Sequence, residues 1–465
     1  MHLDQNFLKT VLTNGTFSDV AIPADAEFSV DSRLVTPGSI FIALKGTRVD
    51  GHDFIKDALS RGAAGIIISN DRKDVIKTLG ATALKKIALI QVPSPQEALL
   101  QLATAWREKF SCPIIGITGS IGKTSTKEML ANILRIQGLP FIASYGNQNT
   151  TIGMSLNILR MRSEHKVAIF EMGVSRRGEM ARMAAIVRPT TGIITSIGHS
   201  HMEGLGSLAD IANEKRDIFK YFKEDNIGII NGDQPVLATI SYMHPIVKFG
   251  CKTTNQVQAR KIQANNLNSY FMLKLYKERY KIMLDTNHAG RVINALAASA
   301  AAYLLNIPHD TIVKGVEVPL TITGRFEQAQ LKAAKGILIN DCYNASPESV
   351  KAALLAFEKV ESKGQKIAVI GDMLELGVNS AFWHRQVGRF LRKVPSLHHV
   401  ILVGDLVQWT KKTLPVGLTH EHVASWQEAV DCVKVRLDRE AVILVKGSRG
   451  VGLTNLVTQL VDASL

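Results

Sequence analysis

The stretch TGSIGKTS, Thr118 to Ser125, decides how this chain is read. It follows a short apolar run, Ile114 to Thr118, and precedes a segment with helical spacing that begins near Lys123. Strand, glycine-rich loop and helix is the order that a phosphate cradle needs. Backbone N–H groups of the loop and the positive end of the helix converge on one point, where an anion is favoured. In that arrangement Thr118, Gly119, Ser120, Ile121, Gly122, Lys123, Thr124 and Ser125 surround the phosphates of a nucleotide. Lys123 supplies a mobile positive charge and Thr124 a hydroxyl for Mg²⁺. The commoner phosphate loop has a further glycine five residues before Gly122, where this chain has Ile117. The shorter T-G-x-x-G-K-T spacing alone is also compatible with an ordinary strand-to-helix turn.

The 465 residues are 46% apolar and 21% charged, which suits a globular protein of several domains. No apolar run approaches the roughly eighteen residues of a membrane span. The N-terminal MHLDQNFLKT lacks the basic and apolar segments of a secretory leader. Cys112, Cys251, Cys342 and Cys432 lie far apart, so neither a zinc site nor a disulfide framework is expected, and a reducing cytoplasm is the simplest compartment. Lys plus Arg number 55 against 41 Asp plus Glu, a net charge of +14. The basic residues are dispersed, as in Arg160, Arg162, Lys166, Arg176, Arg177 and Arg182, and no nucleic-acid partner is expected. A solvated basic surface and attraction of a multiply anionic small molecule both remain open.

Strands alternate with helices, so the fold class is α/β. Three domains are expected: a small α/β unit over 1–92, a central P-loop-type parallel-sheet ATPase unit over 93–318, and a doubly wound, Rossmann-like unit over 319–465. VPSPQ, Val92 to Gln96, reads as a linker. Between Cys251 and Asp285 short alternating strands suggest a small antiparallel insert. In the last unit each strand ends in polar or glycine-rich sequence, where doubly wound sheets bind ligands.

Glu171 ends the strand Val167 to Met172, where a carboxylate reaches Mg²⁺ or simply meets solvent. His199 and His201 follow the next strand. Lys215 lies 14 residues after His201 on a helix, and its spacing alone makes it a surface lysine.

TGSIGKTS, EMG at Glu171, HMEGLGS from His201, GRFE at Gly324, DCYNASP at Asp341, GDMLELG at Gly371 and KGSR at Lys446 together resemble the Mur ligases. Their order is most similar to the MurF-type branch, and the resemblance covers essentially the whole chain. DSR at Asp31 and LKGTRVDGHDF at Leu44 resemble the uridine-nucleotide-binding unit of that family. The resemblance implies ligation of D-alanyl-D-alanine to UDP-N-acetylmuramoyl-tripeptide, driven by ATP with two Mg²⁺ ions, in a cytoplasmic enzyme that is expected to be a monomer. It implies Thr124, Glu171 and His201 as metal ligands, with Lys123, His201 and Lys215 in catalysis, Lys215 as a carbamate. Asn294, Arg325 and Asp341 correspond to ATP contacts. Ser32, Lys45, Gly46, Asn149, Thr150 and Thr151 correspond to UDP-substrate contacts, and Tyr343 and Asn344 to dipeptide contacts.

One departure stands out. The family shows H-N-x-x-N-A near the adenine, and aligning on Asn294 and Ala295 puts Gly290 and Arg291 where His and Asn are expected. A sister ligase, either MurE-type or similar to folylpolyglutamate synthase, would share these features and differ in the residue it adds. A regulatory protein without catalysis is disfavoured by the intact Lys123, Thr124, Glu171 and His201. A nucleic-acid-dependent ATPase leaves the N-terminal unit unexplained.

Overall fold

Short runs of Ile and Val bounded by glycine and polar loops form the buried strands of this chain. The computed structural model describes residues 2–331, 336–438 and 440–462. Among the described residues the strands make three sheets of five, nine and six strands.

The first sheet runs in the order Thr16–Phe17, Ala88–Val92, Gly65–Ser69, Ile40–Ile42, Phe28–Ser29, parallel except for its first member. The VPSPQ stretch that follows is no flexible linker. Val92 closes a strand, the Ser94 hydroxyl accepts the Glu97 N–H at 3.3 Å, and Pro95 opens the helix Pro95–Arg107. Leu99, Leu102 and Trp106 of that helix join one continuous core with Leu8 and Ile67 on one side and Ile114 and Phe170 on the other. Arg107 is buried there, and its guanidinium donates to the carbonyls of Val187, Phe110 and Arg188. Those three acceptors offset the cost of burying its charge.

The second sheet centres on Ile114–Thr118, flanked by Thr191–Ile194 and Val167–Glu171, all parallel. Chain order reverses here, so the three strand ends open one crevice. The expected small antiparallel insert forms the far edge of this sheet. Ile246–Gly250 pairs in parallel with Val257–Asn265, Phe249 opposite Val257, and two antiparallel strands, Asn268–Leu275 and Glu278–Leu284, follow. Alternation explains both the sequence pattern and the placement: Phe271, Leu273 and Leu275 face the alanine-rich helix Ala289–Leu304, while Tyr270 faces solvent.

The third sheet has the order Glu327–Leu331, Gly336–Asp341, Val442–Lys446, Lys366–Gly371, His399–Val403, Thr419–Val423. Only its first strand is antiparallel. Met202, from the loop after Thr191–Ile194, packs against both the first core and the core of this last unit. Among the described residues no helix is long and apolar enough to cross a membrane.

Candidate active site

The loop after Ile114–Thr118 is shaped by two glycines. Gly119 has φ +150°, and a Cβ there would lie 2.0 Å from Thr195 Oγ1. Gly122 has φ +93°, and its Cβ would lie 2.3 Å from Asn294 Oδ1. Only glycine lets the backbone fold this tightly. Ser120 donates its N–H to Ser196 O at 2.7 Å and its hydroxyl to Gly198 O at 3.0 Å, so the loop is tied to the neighbouring strand end. The Ser120 N–H is therefore committed within the protein. The free donors are those of the first turn of the helix Lys123–Gln137, which Gly122 opens. Lys123 Nζ donates to Gly119 O at 2.7 Å. Its ammonium is partly open to a cavity, and desolvation together with Arg325 holds its pKa below the ordinary lysine value, against the pull of Glu171.

Two adjoining cavities meet at this loop. The larger, about 820 Å³, brings together Lys123, Asn149, Thr150, Thr151, Glu171 and His201 with Arg325, Tyr343 and Asn344 of the last unit. The smaller, about 250 Å³, is lined by Ile121, Gly122, Ser125, Asn294, Arg325 and Asp341, and shares Ser120 and Asn344 with the first. Thr118, Gly119 and Thr124 lie behind these walls: Thr118 is fully buried at the strand end, and its hydroxyl has no hydrogen-bond partner. Ser32, Lys45 and Gly46 line neither cavity. Ser32 is buried in the turn Ser32–Leu34, whereas Lys45 and Gly46 sit on an exposed loop where Gly46 N donates to Val49 O at 2.9 Å.

Glu171 is 3% exposed. Its Oε1 accepts from Asn149 Nδ2 at 3.0 Å, while buried Oε2 has no protein partner. An unpaired buried carboxylate oxygen is costly unless a cation meets it. This donor set suits Mg²⁺, which takes one or two protein ligands and completes its shell with water and substrate phosphates. His201 faces the same cavity. Among the described residues no group of three His, Cys, Asp or Glu side chains is gathered for a metal.

Lys215 is not on the surface. It is 1% exposed, because the helix Leu208–Arg216 turns Ile211, Ala212 and Lys215 inward. Loss of hydration, followed by the Lys123 charge, pushes its pKa far below that of a free lysine. Neighbouring Glu214 does not neutralise it fully, since that carboxylate accepts the N–H groups of Gly178 and Met180, both at 2.8 Å.

The last unit supplies the other wall. Asp341 pairs with buried Lys446 at 3.0 Å and accepts the Phe326 N–H at 3.1 Å. The Arg325 guanidinium stacks 4.2 Å above the Tyr343 ring, so Tyr343 orients a cation as well as lining the cavity. His384 is structural: its Nε2 accepts the Met373 N–H at 3.1 Å. Arg176, Arg177, Arg182 and Arg449 also line the larger cavity, so the first three are more than dispersed surface charge. The position of Arg176, Arg177 and Arg182 just after the Glu171 strand end is the signal in the sequence.

At the altered H-N-x-x-N-A site, His288 rather than a motif histidine occupies the small cavity, beside Arg291. Its Nδ1 accepts the Gly290 N–H, and its ring packs 5.0 Å from Phe326. Arg291 donates Nη2 to Arg325 O at 3.0 Å, and its Nη1 is buried without a partner. Burial pushes the His288 pKa down from 6.5 to about 4. The neutral ring is thus the folded form, and the unfolded chain binds more protons. His288 should contribute about 3 kcal/mol above pH 6.5, lost as pH falls from about 6.5 toward 4. Urea unfolding across that window should show a shallower loss for His288→Asn than for the wild type.

Profiles of the Mur ligase family, catalytic domain, the Mur ligase middle domain, and the Mur ligase, glutamate ligase domain match residues 27–107, 117–302 and 324–449. The Bacillus subtilis protein named UDP-N-acetylmuramoyl-tripeptide--D-alanyl-D-alanine ligase is 32% identical over 463 residues, covering 98% of this chain and 97% of that relative. This chain belongs to the Mur ligase family. An Escherichia coli ligase of the same name is 31% identical, with 97% of each chain covered. Among solved structures, MurF from Acinetobacter baumannii superposes with a TM-score of 0.85 at 28% identity, covering 100% of this chain and 99% of that one. The Thermotoga maritima MurF ligase in complex with ADP gives 0.78 at 26% identity, covering 94% and 97%. The three-sheet architecture is thus that of a Mur ligase.

Proposed function

We propose that this Mur ligase joins D-alanyl-D-alanine to UDP-N-acetylmuramoyl-tripeptide at the expense of ATP. One observation carries the reading: Lys123 and Glu171, the Asn149–Thr151 turn, and Arg325, Tyr343 and Asn344 face a single cavity of about 820 Å³. Phosphate-binding, acceptor-binding and closing elements converge there. The curated relatives of that name over nearly the full chain support the choice of substrates.

Amide formation from a carboxylate needs activation. The tripeptide carboxylate attacks the γ-phosphorus of ATP, giving an acyl phosphate and ADP. The dipeptide amine, after losing a proton, attacks the acyl carbon, and phosphate leaves. The protein's part is positioning and charge neutralisation. The first-turn donors after Gly122 hold the phosphates in the small cavity, with Asn294, Arg325 and Asp341 as nucleotide contacts. Lys123 turns from the Gly119 carbonyl to the transferring phosphate. Asn149, Thr150 and Thr151 hold the UDP substrate, with Ser32, Lys45 and Gly46 meeting its uridine end. Tyr343 and Asn344 face the dipeptide.

Glu171, His201 and Thr124 are the residues that would hold two Mg²⁺ ions, and bound Mg²⁺ supplies charge screening for the attacking carboxylate and the triphosphate. The unpartnered Glu171 Oε2 supports this assignment. Lys215 is read as a carbamate, supported by its burial and by a pKa held far below that of a free lysine. The three units divide at 1–92, 93–318 and 319–465, and the enzyme works as a cytoplasmic monomer.

Phosphate release with UDP-N-acetylmuramoyl-tripeptide and ATP should require D-alanyl-D-alanine as acceptor. Faster release with a diamino acid or with glutamate would assign the chain to a sister ligase instead.

A further inference from the structure

The loop after Thr191–Ile194 touches the last unit at two points. His199 pairs through its ring and its N–H with Glu348, on the helix Pro347–Glu358. His201 pairs through Nδ1 with Glu375, in the loop that follows Lys366–Gly371. The second contact is the more demanding. Both His201 and Glu375 adopt left-handed backbone, at φ +56° and +62°. Non-glycine residues hold such conformations only where the surroundings insist on them. Glu203 N donates to Glu375 O at 3.2 Å, and Met202 packs into the core of the last unit, so backbone and apolar contacts fix the pair in register. Glu375 also lines the larger cavity beside His201 and Glu171.

We infer that Glu375 is the positioning residue for the metal-binding His201, so that the last unit completes the metal site when it closes. The inference rests on the proposed reading of Glu171 and His201 as metal ligands. Its logic is the tautomer. The Glu375 carboxylate lies at ion-pair distance from Nδ1, off the line of a hydrogen bond, and its negative charge favours the proton on that nitrogen, which leaves Nε2 unprotonated, the form a metal ligand requires. The carboxylates of the central unit are otherwise engaged: Glu171 uses Oε1 for Asn149 and keeps its unpaired Oε2 for the proposed cation, and Glu214 serves backbone N–H groups. The carboxylate beside Nδ1 comes instead from a residue 174 positions further along the chain, on the unit that must close over the substrates. By linkage, metal binding and closure then favour each other.

Glu348 provides the control. It makes the neighbouring interdomain contact through His199 but lines the small cavity, and it does not touch His201. Loss of a latch alone would affect both contacts alike.

The test is a titration of the full chain with Mn²⁺ in the presence of a non-hydrolysable ATP analogue, reading free Mn²⁺ by electron paramagnetic resonance. Glu375→Ala and the milder Glu375→Gln should weaken one Mn²⁺ site by about tenfold or more, as loss of a metal ligand's supporting partner does. Glu348→Ala should leave that site within about twofold. The Glu375 side chain is 54% exposed, so both variants should fold, which their thermal melts would verify. Wild-type Mn²⁺ affinity in both Glu375 variants, with His201→Ala weakened, would overturn the inference while leaving the metal assignment intact. Wild-type affinity in His201→Ala would overturn both. Equal weakening in Glu348→Ala and Glu375→Ala would also overturn it, since that is what closure alone predicts.

Discussion

Lys123→Ala should lower ligation by about a thousandfold or more while binding of the UDP substrate survives, the scale on which loss of a charge partner to a transferring phosphoryl group is felt. The residue stands at the foot of the larger cavity, held by the Gly119 carbonyl and already short of hydration. It therefore needs little desolvation to meet a phosphate. Its removal takes away charge stabilisation without altering the Asn149–Thr151 turn, which packs at the other side of Glu171. Calorimetric titration with UDP-N-acetylmuramoyl-tripeptide should give a Kd within about threefold of wild type, while phosphate release falls to background. Normal turnover would refute the phosphate-loop assignment.

Lys215→Ala should reduce turnover by roughly a hundredfold, with partial recovery in formate or acetate. As an ammonium, Lys215 would sit buried beside the like charge of Lys123, which is why its pKa falls so far. A neutral amine is the form that adds to CO₂. The resulting carbamate is an anion, so repulsion from Lys123 becomes attraction, and a new oxygen donor forms on the Lys215 side chain. Short carboxylates can enter the space left by the truncated side chain and replace that donor. Full activity of Lys215→Ala without any additive would exclude the carbamate role.

Much of this was legible in the sequence because it is local. The strand, TGSIGKTS and the following helix are contiguous, and two positive-φ glycines fix the loop's shape wherever the rest of the chain lies. Glu171 and His201 were legible from their places at adjacent strand ends. Lys215 was not legible from spacing. Its burial depends on which face of the helix Leu208–Arg216 the sheet covers, and a helix carrying Asp210, Asn213, Glu214, Lys215 and Arg216 reads as solvated. The antiparallel Cys251–Asp285 strands are legible, but their attachment to the central sheet is not, since alternation reveals a half-buried sheet without saying which strand it joins. The pairings of His199 with Glu348 and His201 with Glu375 are long-range, and no local pattern announces them. Arg291 and His288 at the nucleotide pocket are a substitution whose consequence shows only once Arg325 and Phe326 arrive from the last unit.

The central claim is that this chain activates a carboxylate as an acyl phosphate and passes it to an amine. Labelling both carboxylate oxygens of the tripeptide with ¹⁸O and running the reaction with ATP and D-alanyl-D-alanine tests it most directly. The pentapeptide should form, and each released phosphate should carry one ¹⁸O atom. Release of unlabelled phosphate, or no pentapeptide at all, would contradict it.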